Sequence, residues 1–156
     1  MPMNIVNFFE ADRRTARAGE TMTQGAVVKV SDWGDGQRKL LKITTGDTPA
    51  VGAYGCAYKV SADTYQVNST TAPASFGDRT VTIASGDYVV EVRKGAIIEY
   101  SADLLDASLA TPQPVGTALG VIGGKWCTAG TGSAVTAPVM GKVFRNFGTR
   151  TLIEIV

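Results

Sequence analysis

Residues 31–39 read S-D-W-G-D-G-Q-R-K, two carboxylates and two glycines around an indole, a composition that suits a calcium loop, a sugar-stacking tip or a hairpin turn. A hand-type calcium loop needs oxygen ligands at alternating positions, D-x-[DN]-x-[DN]-G. Counted from Asp32, those positions hold Gly34 and Gly36, so the ligands are missing. The flanking hydrophobic pattern gives a hairpin instead. Setting Val28 opposite Ile43 and Val30 opposite Leu41 groups four apolar side chains, which carries Asp32 to Lys39 and Trp33 to Arg38 around a loop of Gly34-Asp35-Gly36-Gln37. Asp32 then has a cross-strand cation. Trp33 either lies over Arg38 as a cation–π pair or stands free as a contact.

Elsewhere the residues that could do chemistry are sparse. The chain has no histidine, which removes Ser-His-Asp and Cys-His nucleophiles, an imidazole base and His-ligated zinc. Cys56 and Cys127 are far apart, with neither metal-like nor redox-like spacing, and are expected to be buried, unpaired thiols. Asp103 and Asp106, in S-A-D-L-L-D, read as a solvated helix start rather than an acid–base pair. The stretch G-V-I-G-G-K-W, residues 120–126, shares only its G-K with a phosphate loop and lacks the Ser or Thr that binds magnesium. The expectation is a non-enzymatic protein with no catalytic residue, cofactor, metal or small-molecule substrate. Trp33, Trp126, Tyr54 and Tyr58 could stack on sugars, so a carbohydrate-binding β-module is an alternative. Against it, Trp126 is equally suited to the core.

Charge points the same way. The 15 basic and 14 acidic residues are spread without long runs of one sign, which gives no reason to expect nucleic acid or an anionic membrane as partner. The first 20 residues show no secretory pattern, and no apolar run approaches the roughly 18 residues of a membrane span. Asn68-Ser69-Thr70 fits the glycosylation pattern but reads as a polar loop.

The elements that must position these residues are strands. Val, Ile, Thr and Tyr recur with a period of two between gaps of Gly, Asp, Pro and Ser, giving candidates at 26–33, 38–44, 53–60, 64–68, 80–84, 87–93, 96–101, 115–122, 139–147 and 150–156. The fold class is all-β: one sandwich or barrel of about 8–10 short strands, with an N-terminal arm over 1–18, a β-domain over 19–156 and at most one short helix. That helix, of one or two turns, lies between Ser101 and the stops at Pro112 and Pro114. Residues 69–79 and 128–138 are low-complexity loops. In Y-V-V-E-V-R-K-G-A-I-I-E-Y a three-residue loop, Arg93-Lys94-Gly95, pairs Tyr88, Val90 and Val92 with Tyr100, Ile98 and Ala96 and puts glycine where positive φ is needed. The strand A-Y-G-C-A-Y-K-V places Tyr54, Cys56, Tyr58 and Val60 on one side. Ala53, Gly55, Ala57 and Lys59 fall on the other, small enough for another backbone to lie close.

Four stretches in order, G-E-T-M-T-Q-G-A-V-V-K-V, G-D-Y-V-V-E-V-R-K-G, P-V-G-T-A-L-G-V-I and M-G-K-V-F-R-N-F-G-T-R-T-L-I-E-I-V, resemble the small β-rich head decoration, or cement, proteins of tailed bacteriophages across residues 19–156. The resemblance implies a protein made in the host cytoplasm that binds the outside of an assembled icosahedral shell in the virion. It implies a homotrimer whose partner is the major capsid protein and which clamps neighbouring capsomers. Aromatic and arginine side chains anchor such contacts, which makes Phe8, Phe9, Arg13, Arg14 and Arg17 of the arm, with Trp33 and Arg38 at the hairpin tip, the interface candidates. A structural protein of the phage tail or adaptor would share this composition and fold.

Overall fold

The computed structural model describes residues 4–7, 13–32, 38–49, 54–59, 82–136, 140–147 and 150–156. These are nearly all β. The strands are β1 (Asn4–Asn7), β2 (Arg13–Ala18), β3 (Met22–Thr23), β4 (Val27–Asp32), β5 (Arg38–Lys42), β6 (Tyr54–Tyr58), β7 (Thr82–Ile83), β8 (Tyr88–Val92), β9 (Ile97–Ser101), β10 (Ala118–Ile122), β11 (Lys125–Thr128), β12 (Gly141–Asn146) and β13 (Arg150–Ile155). Two 3-10 turns, Ala102–Leu104 and Ala107–Leu109, stand where the short helix is predicted.

The strands divide into a closed five-stranded barrel, β2-β5-β4-β6-β8, a six-stranded sheet, β1-β9-β13-β12-β10-β11, and a small β3-β7 pair. The barrel strands alternate between an apolar lumen and an outer face that is apolar on β4, β6 and β8. Ala16, Ala18, Val28, Leu40, Ala57 and Val89 turn inward and form one core with Met22 and Ile83. Val27, Tyr54, Cys56 and Val92 turn outward and join the inner face of the sheet, Ile98, Tyr100, Leu119, Val121, Trp126, Val143, Ile153 and Ile155, in a second and larger core. The small side of β6 therefore faces the lumen. A Cβ on Gly55 would sit 2.5 Å from the backbone oxygen of Val92, a contact no real side chain makes.

Two registers differ from those the sequence predicts. In β4–β5, Val28 stands opposite Lys42, Val30 opposite Leu40 and Asp32 opposite Arg38, one residue away from the predicted pairing. In R-K-L-L-K-I either leucine satisfies a period of two, and the lumen takes Leu40. Ile43 lies beyond the strand end, its N–H donating to the Val27 carbonyl at 3.0 Å, and is buried in the shared core. The loop, 33–37, is outside the described residues.

The second difference is at β8 and β9, which do not pair. Both edges of β8 are taken by β2 and β6, and β9 lies between β1 and β13. The predicted turn exists, with Gly95 at φ 93 and the Ala96 N–H donating to the Arg93 carbonyl at 3.2 Å, but it carries the chain from the barrel into the sheet. Val90, Val92, Ala96, Ile98 and Tyr100 do share one core because barrel wall and sheet pack face to face. Tyr88 falls outside it, 63% exposed.

Residues 13–18, assigned to the arm from sequence, form the strand that closes the barrel through antiparallel pairing to β8 and parallel pairing to β5. Residues 4–7 pair with β9 at one edge of the sheet.

The same turn recurs at 23–26, 44–47, 84–87, 93–96 and 114–117. In each, glycine stands third with φ between 88 and 93, and the fourth N–H returns to the first carbonyl. In two of them the fourth residue is an aspartate clamped by a lysine: Asp47 by Lys29 at 2.5 Å and Asp87 by Lys59 at 2.8 Å. Those cations hold both carboxyls below their usual range.

Gly55→Ala, which forces a methyl into the Val92 backbone, is expected to cost about 1–3 kcal/mol. Gly130→Ala, which meets open space, should stay within about 0.5 kcal/mol. Urea unfolding curves check both; equal midpoints would mean that the lumen has room to spare.

Candidate functional site

Of the interface candidates, Phe8, Phe9 and Trp33 lie outside the described residues. Arg13 and Arg14 stand in β2 opposite Val92 and Glu91. Arg17 stands opposite Tyr88, its guanidinium 4.1 Å above the ring centroid and donating to the phenol oxygen. Arg38 behaves differently. It alternates with Leu40, so it shares the lumen side, and its Nη2 donates to Oε2 of Glu91 at 2.6 Å. Glu91 is fully buried, with the Arg93 Nε 3.8 Å from its other oxygen. A Cβ on Gly55 would lie 3.0 Å from the Glu91 Cγ. Arg38 thus makes an ion pair across the barrel lumen, while Trp33, its predicted tip partner, lies outside the described residues. Arg17, Arg38 and Tyr88, with Thr15 and Ala16, line one shallow cleft of about 250 Å³.

A second exposed cluster escapes the candidates named from sequence. Across β12–β13, Val143 pairs with Ile153 but Arg145 with Leu152, leaving Phe144 as the extra residue of a β-bulge. Bulges re-aim side chains. Phe144 is 43% exposed and Phe147 52%, with the Arg145 guanidinium 4.6 Å from the Phe147 ring centroid. The signal is present in G-K-V-F-R-N-F, where Phe144 has the parity of exposed Lys142 rather than of buried Val143. At the β11 edge of the same sheet the open backbone is closed from within: the Asp106 N–H donates to the Trp126 carbonyl at 2.9 Å, and the Thr128 N–H to Ser108 Oγ at 3.1 Å.

The groups that could react are turned inward or held in turns. Burial pushes the Cys56 thiol up to about 12 and the Cys127 thiol up to about 11, so both lack the thiolate that a nucleophile needs. Both are buried and unpaired. The Ser101 hydroxyl on Asp103 and the Ser108 N–H on Asp106 hold these carboxyls below their usual range, the opposite of what a general acid needs. The G-G of residues 123–124 is the two-residue turn of the β10–β11 hairpin, at φ 55 and 77, and Lys125 opens β11 opposite Ile122. Tyr54 and Trp126 are core residues and Tyr58 packs against the same core, which withdraws three of the four aromatics from a sugar-stacking platform.

Comparison with protein-family models, with curated proteins and with solved structures finds no match.

Arg38→Met removes the guanidinium that donates to the fully buried Glu91 carboxylate at 2.6 Å. A loss of about 3 kcal/mol in chemical denaturation is expected, near the lower end for a broken buried pair. A change near zero would show that Arg38 is not the counter-charge of the lumen.

Proposed function

We propose that this chain is a decoration, or cement, protein that binds the outer surface of an assembled icosahedral shell as a homotrimer and stabilises contacts between capsomers of the major capsid protein. The observation that carries the reading is the placement of the exposed aromatics. Among the described residues the thiols and most tyrosine and tryptophan side chains are interior, while Phe144 and Phe147 flank Arg145, and Tyr88 lies under Arg17. Aromatic and arginine side chains are the types that dominate protein–protein contact energy. The β-framework supports the role: paired strands and two packed cores hold these groups at fixed positions, so little ordering entropy is spent on docking. Three copies engaging three equivalent sites gain avidity through effective concentration, so each contact can be modest while the assembly resists removal. The same surface would serve a structural protein of the phage tail or adaptor. Binding to the shell separates the two.

Purified protein should sediment with assembled shells and remain in the supernatant with free coat subunits. Phe144→Ala/Phe147→Ala should weaken shell binding about tenfold or more while leaving the circular dichroism spectrum and melting temperature unchanged. A protein that ignores shells, or a double variant that binds as the parent does, contradicts the reading of this surface.

A further inference from the structure

The charges that look evenly spread along the sequence are not evenly spread in space. β2 and β5 read R-R-T-A-R-A and R-K-L-L-K: six basic residues and no acidic one on two adjacent strands. Strand alternation then sorts them. Arg38 is turned into the lumen and held by Glu91, and Arg14 stands in register with Glu91. On the other face of the wall, Arg17 and Lys39 stand directly side by side across the parallel pairing. Like charges placed so are mutually destabilising, and no acidic side chain is interposed in either strand. Lys39 has no ion-pair partner among the described residues. Of the described acids on adjoining segments, Asp47 holds Lys29 and Asp87 holds Lys59, and Glu20 accepts from the Lys42 N–H at 2.6 Å. Beside the two cations lies Tyr88, 63% exposed, at a shallow cleft that Arg17, Thr15, Ala16 and Arg38 also line.

We propose that this outer wall of the barrel, centred on Arg17, Lys39 and Tyr88, is a docking surface for a carboxylate-rich protein segment. The proposal rests on the reading that the chain acts by surface contact, and adds the chemistry of what it contacts. Charge complementarity identifies the occupant. The Arg17 guanidinium, 4.1 Å over the Tyr88 ring and donating to its phenol oxygen, brings a delocalised positive charge to the patch, the kind of cation that pairs best with carboxylate oxygens. The neighbouring ammonium adds a second point charge, and the phenol ring and cleft add apolar burial that a hydrated polyphosphate backbone would not use. The cations are also few and localised, whereas nucleic-acid binding draws on an extended basic stripe that neutralises many phosphates.

The test compares the parent protein with Arg17→Glu/Lys39→Glu against immobilised poly-L-glutamate, double-stranded DNA, anionic lipid vesicles and assembled shells. Circular dichroism and the melting temperature show that the variant is folded; Lys39→Glu alone serves if the double variant is not. The expected result is salt-sensitive binding of the parent to poly-L-glutamate, weakened about tenfold or more in the variant, with little retention on DNA or vesicles. Absent poly-L-glutamate binding, or binding unchanged by charge reversal, overturns the proposal. Tighter binding of DNA or vesicles than of poly-L-glutamate overturns it in favour of a phosphate-bearing partner. If poly-L-glutamate binds as expected and shells do not, the docking chemistry stands and the shell reading falls.

Discussion

The fold depends on one seam. Tyr100, on the inner face of the sheet, donates from its hydroxyl to the Gly25 carbonyl at 2.9 Å and lies 3.1 Å from the Cys56 sulfur on the barrel wall. Burial drives the Tyr100 phenol well above its usual range, so it stays a neutral donor at every ordinary pH. Trp126, 1% exposed, packs in the same core, and rings of this size contribute roughly 2–3 kcal/mol each when fully buried. The seam is reinforced where the β10–β11 turn reaches across: the Val27 N–H donates to the Gly124 carbonyl and the Gly124 N–H to the Ile43 carbonyl, both at 2.8 Å. There β4, β6 and β8 are covered on both faces, by the sheet outside and the lumen core inside. The lumen side is built mainly from small side chains, Ala16, Ala18, Val28, Gly55, Ala57 and Val89, around Leu40, with the Arg38–Glu91 ion pair across it.

That two-sided burial explains what the sequence shows and what it hides. Strands with large residues facing the seam are legible: β6, β8, β9, β10, β12 and β13 all fall inside predicted segments. β2 is not. Its lumen residues, Ala16 and Ala18, are small because a five-stranded barrel has little interior, and small side chains between arginines leave no apolar period to detect. β11 is hidden for a different reason, since Gly123-Gly124 between V-I and W-C is a hairpin signal that its likeness to a phosphate loop obscures. Pairing partners are harder still. Val90, Val92, Ile98 and Tyr100 are correctly grouped on one face, but a shared face arises equally from a hairpin and from two packed sheets. Local parity cannot tell them apart, just as it cannot choose between Leu40 and Leu41.

The surface is partly hidden for the same reason. Arg17, a contact candidate by sequence, is stacked on a tyrosine that a β8–β9 hairpin register would put in the core. Arg38, a tip residue by sequence, is bound to an internal carboxylate because the register differs by one residue and turns it to the lumen. Phe144 and Phe147 are within reach of parity, yet only the bulge shows how Phe144 is re-aimed. The interior and the surface thus divide the labour. Among the described residues the seam takes in Cys56, Tyr54, Tyr58, Tyr100 and Trp126, and two of the exposed rings stand beside arginines, Arg17 over Tyr88 and Arg145 over Phe147.

A protein that acts through repeated copies of such a surface has to present more than one of them. Sedimentation equilibrium of the purified chain is the most direct measurement of that claim. The account predicts a stable species of three times 16.3 kDa that persists on dilution. A monomer at every concentration would contradict it.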